Sequence, residues 1–151
     1  MNIQSAGEAV FLACEMEKQA VRLYERALLI FRDEKMQQAV REILAEEKSH
    51  LAQFEQLGQA ACSFEQAQLL SAQAARTLNA GGLMAAQRKG AFESPRALFS
   101  HAAQEEKNAV QTYSAIADDL TGDAADTFRH IAREEERHLA EFEGFLNALG
   151  K

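Results

Sequence analysis

Apolar residues recur at spacings of three and four along most of the chain, the period of helices with one buried face. No stretch shows the β-branched alternation of a strand, and Pro occurs once, at Pro95, so the pattern predicts an all-α fold. A first helix is expected over about residues 8–31, with Val10, Ala13, Cys14, Ala20, Val21, Tyr24, Leu28 and Phe31 facing inward. A second is expected over about 35–57, with Met36, Val40, Ile43, Phe54 and Leu57 inward.

Gly58 reads as the stop of that second helix. Residues 59–94 are less regular, with a short helix expected over about 66–78, ending near Asn79 and the Gly81-Gly82 pair. Ser94 before Pro95 is an amino-terminal cap followed by a first helical residue. It opens a third helix over about 95–120 that turns Leu98, Ala102, Ala109, Val110, Tyr113 and Ile116 inward. After a break at Thr121-Gly122, a fourth helix over about 123–149 presents Phe128, Ile131, Leu139, Phe142, Phe145 and Leu149, and no fifth is expected.

The second helix pair repeats the first. Ala13, Glu17, Lys18 and Tyr24 recur at the same spacing as Ala102, Glu106, Lys107 and Tyr113, and Glu-Glu-x-x-His-Leu-Ala-x-Phe-Glu occurs at residues 46–55 and 134–143. Two antiparallel hairpins joined by a long crossover containing a short helix make a four-helix bundle of ferritin-like connectivity, here a single domain over 1–151 with a pseudo-twofold axis.

Length and composition agree with one domain: 151 residues, 47% hydrophobic and 26% charged. A net charge of -7 repels phosphate backbones and anionic membrane surfaces, so nucleic acid is not expected as a partner. No apolar stretch reaches the ~18 residues of a membrane span. The amino terminus lacks a basic segment before an apolar run, so the expected location is cytoplasmic. Cys14 and Cys62 have neither metal-site spacing nor disulfide density and read as small buried or half-buried thiols.

Chemistry enters where polar residues interrupt the apolar stripes, because a buried carboxylate is costly unless neutralised. Glu17 lies among Ala13, Cys14, Val21 and Tyr24, whereas Glu15 and Glu25 share faces with Gln19, Arg22 and Arg26. Glu106 repeats the position of Glu17. Glu47 and His50 interrupt the second stripe between Ile43 and Phe54, and Glu135 and His138 the fourth between Ile131 and Phe142. Residues three apart share a helix face about 5–6 Å from one another, so each Glu-x-x-His pair can offer an oxygen and a nitrogen to one metal position. Two such pairs plus two single glutamates match the ligand set of di-iron and di-manganese bundles. The four carboxylates sum to -4 if ionised, and two divalent cations supply the opposite charge. His101, His130, Glu46, Glu134 and Glu136 fall off the inner stripes and are expected on solvated faces.

With these residues in place, the chain resembles a rubrerythrin-type, ferritin-like di-iron protein: EKQAVRLY and EKNAVQTY resemble its odd helices, and EEKSHL and EEERHL its even ones. The resemblance covers about residues 8–57 and 95–149. It implies two Fe ions, with Mn an alternative. Glu47 and Glu135 would be bridging or chelating carboxylates beside His50 and His138, with Glu17 and Glu106 terminal. The chain departs from the family in lacking rubredoxin-like Cys-x-x-Cys pairs, so electrons would come from an external donor such as a rubredoxin-like protein. Ala109 stands where rubrerythrins carry an additional carboxylate, which makes the set look more like the symmetric bacterioferritin type.

Tyr24 and Tyr113, two turns beyond Glu17 and Glu106, are candidates to bond a ligand carboxylate or act as local electron donors, with core tyrosines as the alternative. The implied activity is a non-haem di-iron oxidoreductase that reduces hydrogen peroxide or oxidises Fe(II) with O2 or peroxide. Iron binding or storage without rapid turnover, and a metal-free helical interaction module, stay open as alternatives. Such bundles commonly form homodimers, and the crossover could pack on its own bundle or on a partner's.

Overall fold

A computed structural model describes residues 5–78 and 82–150. Its helices are α1 (Ala6–Ile30), α2 (Glu34–Ala61), α3 (Phe64–Leu78), α4 (Gly82–Arg88), α5 (Pro95–Asp119) and α6 (Gly122–Leu149), with no strand among the described residues. Among the described residues, no helix is long and apolar enough to cross a membrane.

Three of the long helices start on side-chain caps. Ser5 Oγ accepts from the Glu8 N–H at 3.1 Å, Asp33 Oδ2 from Met36 at 3.0 Å and Ser94 Oγ from Ala97 at 3.0 Å. Pro95 follows Ser94 as the first helical residue, as its fixed φ favours. Thr121 makes no such bond; the chain instead turns into α6 through Gly122 at φ +66°, a conformation that glycine adopts without strain.

The four long helices pack as two pairs, α1 with α2 and α5 with α6, with sparser contacts between the pairs. Two apolar clusters fix their directions. One contains Tyr24, Ile43, Leu98 and Phe142; the other contains Val10, Phe54, Tyr113 and Phe128. α1 and α6 run from the second cluster to the first, and α2 and α5 the opposite way, so both pairs are antiparallel. Between the clusters, at the middle of each long helix, lie the residues that interrupt its apolar stripe.

The region between the pairs forms two helices rather than one. α3 begins at Phe64, and the seven-residue α4 is too short to register as periodicity. Asn79 and Gly81, where the short helix was expected to end, lie outside the described residues. Both helices lie along α1 of their own chain. α2 passes through Gly58 and ends at Ala61. Gly58 is a close-approach residue and not a stop, because a Cβ there would sit 2.8 Å from Phe11 Cζ. Leu149, expected inward, is 47% exposed, since α6 outruns the core at its last turn.

Two glycines within helices should therefore respond oppositely to the same substitution. Gly58→Ala gains about 1 kcal/mol of helix propensity but overpacks buried Phe11, at a typical cost of about 1–3 kcal/mol; a net loss is expected. Gly144→Ala meets nothing within 4 Å and should stabilise by about 1 kcal/mol. Urea unfolding midpoints should move apart, and a rise in both would show that Phe11 yields freely.

Candidate metal centre

Glu17 on α1, Glu47 and His50 on α2, Glu106 on α5, and Glu135 and His138 on α6 are each no more than 2% exposed. All six residues expected to hold metal thus lie in the polar layer between the two apolar clusters.

The histidine rings stack with centroids 5.9 Å apart and turn their Nδ1 atoms toward the glutamates. His50 Nδ1 lies 2.7 Å from Glu135 Oε1 on α6, closer than the 3.6 Å to Glu47 on its own helix. His138 Nδ1 lies 3.0 Å from Glu47 Oε1 and 3.7 Å from Glu135. Each histidine therefore faces the opposite helix's glutamate. Two groups of possible ligands result: Glu17, Glu47, His50 and Glu135, and Glu47, Glu106, Glu135 and His138, with the donor atoms of each group within 4.8 Å of one another. Glu47 and Glu135 belong to both.

Each of the six side chains holds one buried atom without a hydrogen-bond partner: Glu17 Oε2, Glu47 Oε1, His50 Nδ1, Glu106 Oε2, Glu135 Oε1 and His138 Nδ1. The short Nδ1–carboxylate contacts lie outside hydrogen-bonding geometry. Leaving a buried polar atom unpaired costs about 1–3 kcal/mol each, and burying charged carboxylates together costs more. Donors that are unsatisfied by protein and grouped around two positions suit divalent cations, and the oxygen-rich set with one imidazole per position suits hard or borderline ones.

The outward atoms of Glu17, Glu106 and both histidines are bonded. Tyr24 O–H donates to Glu106 Oε1 at 2.7 Å and Tyr113 O–H to Glu17 Oε1 at 3.0 Å, so each tyrosine serves the glutamate of the other hairpin. Burial, then the neighbouring Glu106 or Glu17 charge, holds both phenols well above their usual range, and they stay donors. His50 Nε2 meets Glu134 Oε2 at 2.5 Å and His138 Nε2 meets Glu46 Oε2 at 2.6 Å, again between hairpins.

Glu46 and Glu134 correct the sequence-based expectation. They are not simply solvated but half-buried, each fixing the ring of a histidine on the opposite helix, the arrangement that orients metal-bound imidazoles and raises their basicity. The repeated Glu-Glu doublet before x-x-His was the signal for them. His130 and Glu136 are exposed as expected, whereas His101 is half-buried, and burial lowers its pKa. Cys14 is buried and Cys62 half-buried, both free. Burial, then Glu55, pushes the Cys14 thiol up to about 12.

Comparison of the chain with family models, curated proteins and solved structures finds no match in any of the three.

Protein stripped of divalent metal should carry the electrostatic cost of this layer as a pH dependence. Burial, followed by Glu47, Glu135 and Glu106 respectively, raises Glu17, Glu47 and Glu135 well above 4.5. Burial opposes charge on His138, but Glu106, Glu135 and Glu47 outweigh it and raise the ring above 6.5. Glu106 is lowered: burial raises it, and its contacts with Glu135, His138 and Tyr24 more than compensate. A group raised on folding contributes stability that is complete below its unfolded value and is lost as pH climbs through its folded value. Glu106, lowered, acts the other way below pH 4.5. The melting temperature of stripped protein should therefore fall from about pH 5 to about pH 8, and a saturating divalent cation should flatten that slope. A rising profile without metal would contradict it.

Proposed function

We propose that the chain is a ferritin-like, rubrerythrin-type di-iron oxidoreductase that reduces hydrogen peroxide or oxidises Fe(II) with O2 or peroxide. The observation that carries the proposal is the pair of four-residue groups sharing Glu47 and Glu135, with one unpartnered buried atom on each of the six side chains. A metal-free interaction module would leave those atoms unpaid in the core, and for this reason it is disfavoured.

Iron bound there would supply electrons to peroxide, whose reduction to two waters consumes two electrons and two protons. The chain's own part is to hold the ions close through Glu47 and Glu135, fix both rings through Glu46 and Glu134, and exclude bulk water with the flanking apolar clusters. Tyr24 and Tyr113 hold Glu106 and Glu17 in place and would serve as local electron donors. A rubredoxin-like donor would deliver the electrons. The free thiols suit a reducing compartment such as the cytoplasm, and a homodimer fits the same proposal.

Protein reconstituted anaerobically with Fe(II) should retain about two iron per chain, and a Glu47→Ala, Glu135→Ala double variant should retain none. Loaded protein given a reductant should consume peroxide repeatedly; iron uptake with no turnover would leave storage as the function, and wild type that refuses iron would end the proposal. Tyr24→Phe and Tyr113→Phe should keep the iron and slow turnover by roughly tenfold, the low end of the effect of removing a bond to a ligand.

A further inference from the structure

The repeat that makes the six inner residues symmetric fails one layer further out. Glu46 uses a single oxygen, Oε2, for both His138 Nε2 at 2.6 Å and Arg137 Nη2 at 2.5 Å. Glu134 gives each neighbour its own oxygen, Oε2 to His50 Nε2 at 2.5 Å and Oε1 to His130 Nε2 at 2.7 Å. In the repeat, Ser49 stands where Arg137 does and Glu42 where His130 does, so neither outer partner has a counterpart. Glu134 is also the better shielded, its side chain 24% exposed against 37% for Glu46.

A carboxylate behind a ligand histidine strengthens that ligand by drawing on the outer N–H. A guanidinium always carries its charge, and on the shared oxygen of Glu46 it withdraws electron density from the bond to His138. His130 occupies the other oxygen of Glu134, so the oxygen that meets His50 is not shared. Shared oxygen, permanent charge and exposure all act in one direction. We infer that the two metal positions are unequal: the one formed by Glu17, Glu47, His50 and Glu135 binds more tightly, because Arg137 draws on the same carboxylate oxygen that meets His138, whereas the oxygen that meets His50 is not shared. The inference rests on the proposal that these residues hold two metal ions.

The test is a stepwise Co(II) titration of the full chain at fixed pH. Calorimetry gives the affinities, and NMR of the shifted exchangeable Nε2 protons, assigned with Glu46→Gln and Glu134→Gln, reports which histidine is engaged. Two steps separated by about tenfold are expected, with the His50 proton shifting first. Arg137→Gln should strengthen the second step and bring the two together, while Arg137→Lys, which keeps the cation, should leave them apart. If Arg137 served only to clamp Glu46, Arg137→Gln would instead weaken the His138 position and widen the gap, overturning the inference. Equal steps in wild type, or His138 engaged first, would overturn it too. Binding of no Co(II) at all would remove the metal centre itself, an outcome distinct from two ions bound equally.

Discussion

Four carboxylates and two imidazoles in the middle of an apolar bundle are the constraint from which the rest of the structure follows. Such a layer is tolerable only if each polar atom is met by protein or by an ion. The protein meets the outward atoms of Glu17, Glu106 and both histidines and leaves one atom of each of the six side chains without a hydrogen bond. The apolar clusters above and below keep water out, and it is the layer that separates these two from each other.

The layer also explains the arrangement of its supports. The tyrosine O–H groups and the outer glutamates all act between the first and second helix pairs, so the hydrogen bonds that orient the site are the same ones that hold the pairs in register. A shift of one turn between pairs would take Tyr24 from Glu106, Tyr113 from Glu17 and both rings from their carboxylates. Rings that cross between the pairs, Tyr24 on Phe142 and Phe54 on Tyr113 and Phe128, add to that alignment.

The bundle and the six inner residues were legible in the sequence because burial leaves a local mark: a charged residue where the helical period demands an apolar one, repeated in both halves. Glu46 and Glu134 left a weaker mark. They sit beside the buried stripe, and what makes them matter is a ring on a helix far away in the chain. Gly58 was misread for a similar reason, since a glycine that ends a helix and one that admits a neighbour's ring are alike until Phe11 is seen opposite. α4 was missed because seven residues hold too few repeats for periodicity, and the exposure of Leu149 depends on where the partner helices end.

Because each group of four inner residues takes members from both hairpins, neither hairpin contains a complete site. A chain emerging from the ribosome would have Glu17, Glu47 and His50 in the open long before Glu135 and His138 were made. Those early residues could meet ions only loosely, as exposed side chains do, and a captured ion would be free to leave or be exchanged. Tight retention begins when α6 docks, so the choice of ion is made by the finished fold and the ions at hand at that moment, not by the order in which the ligands are synthesised.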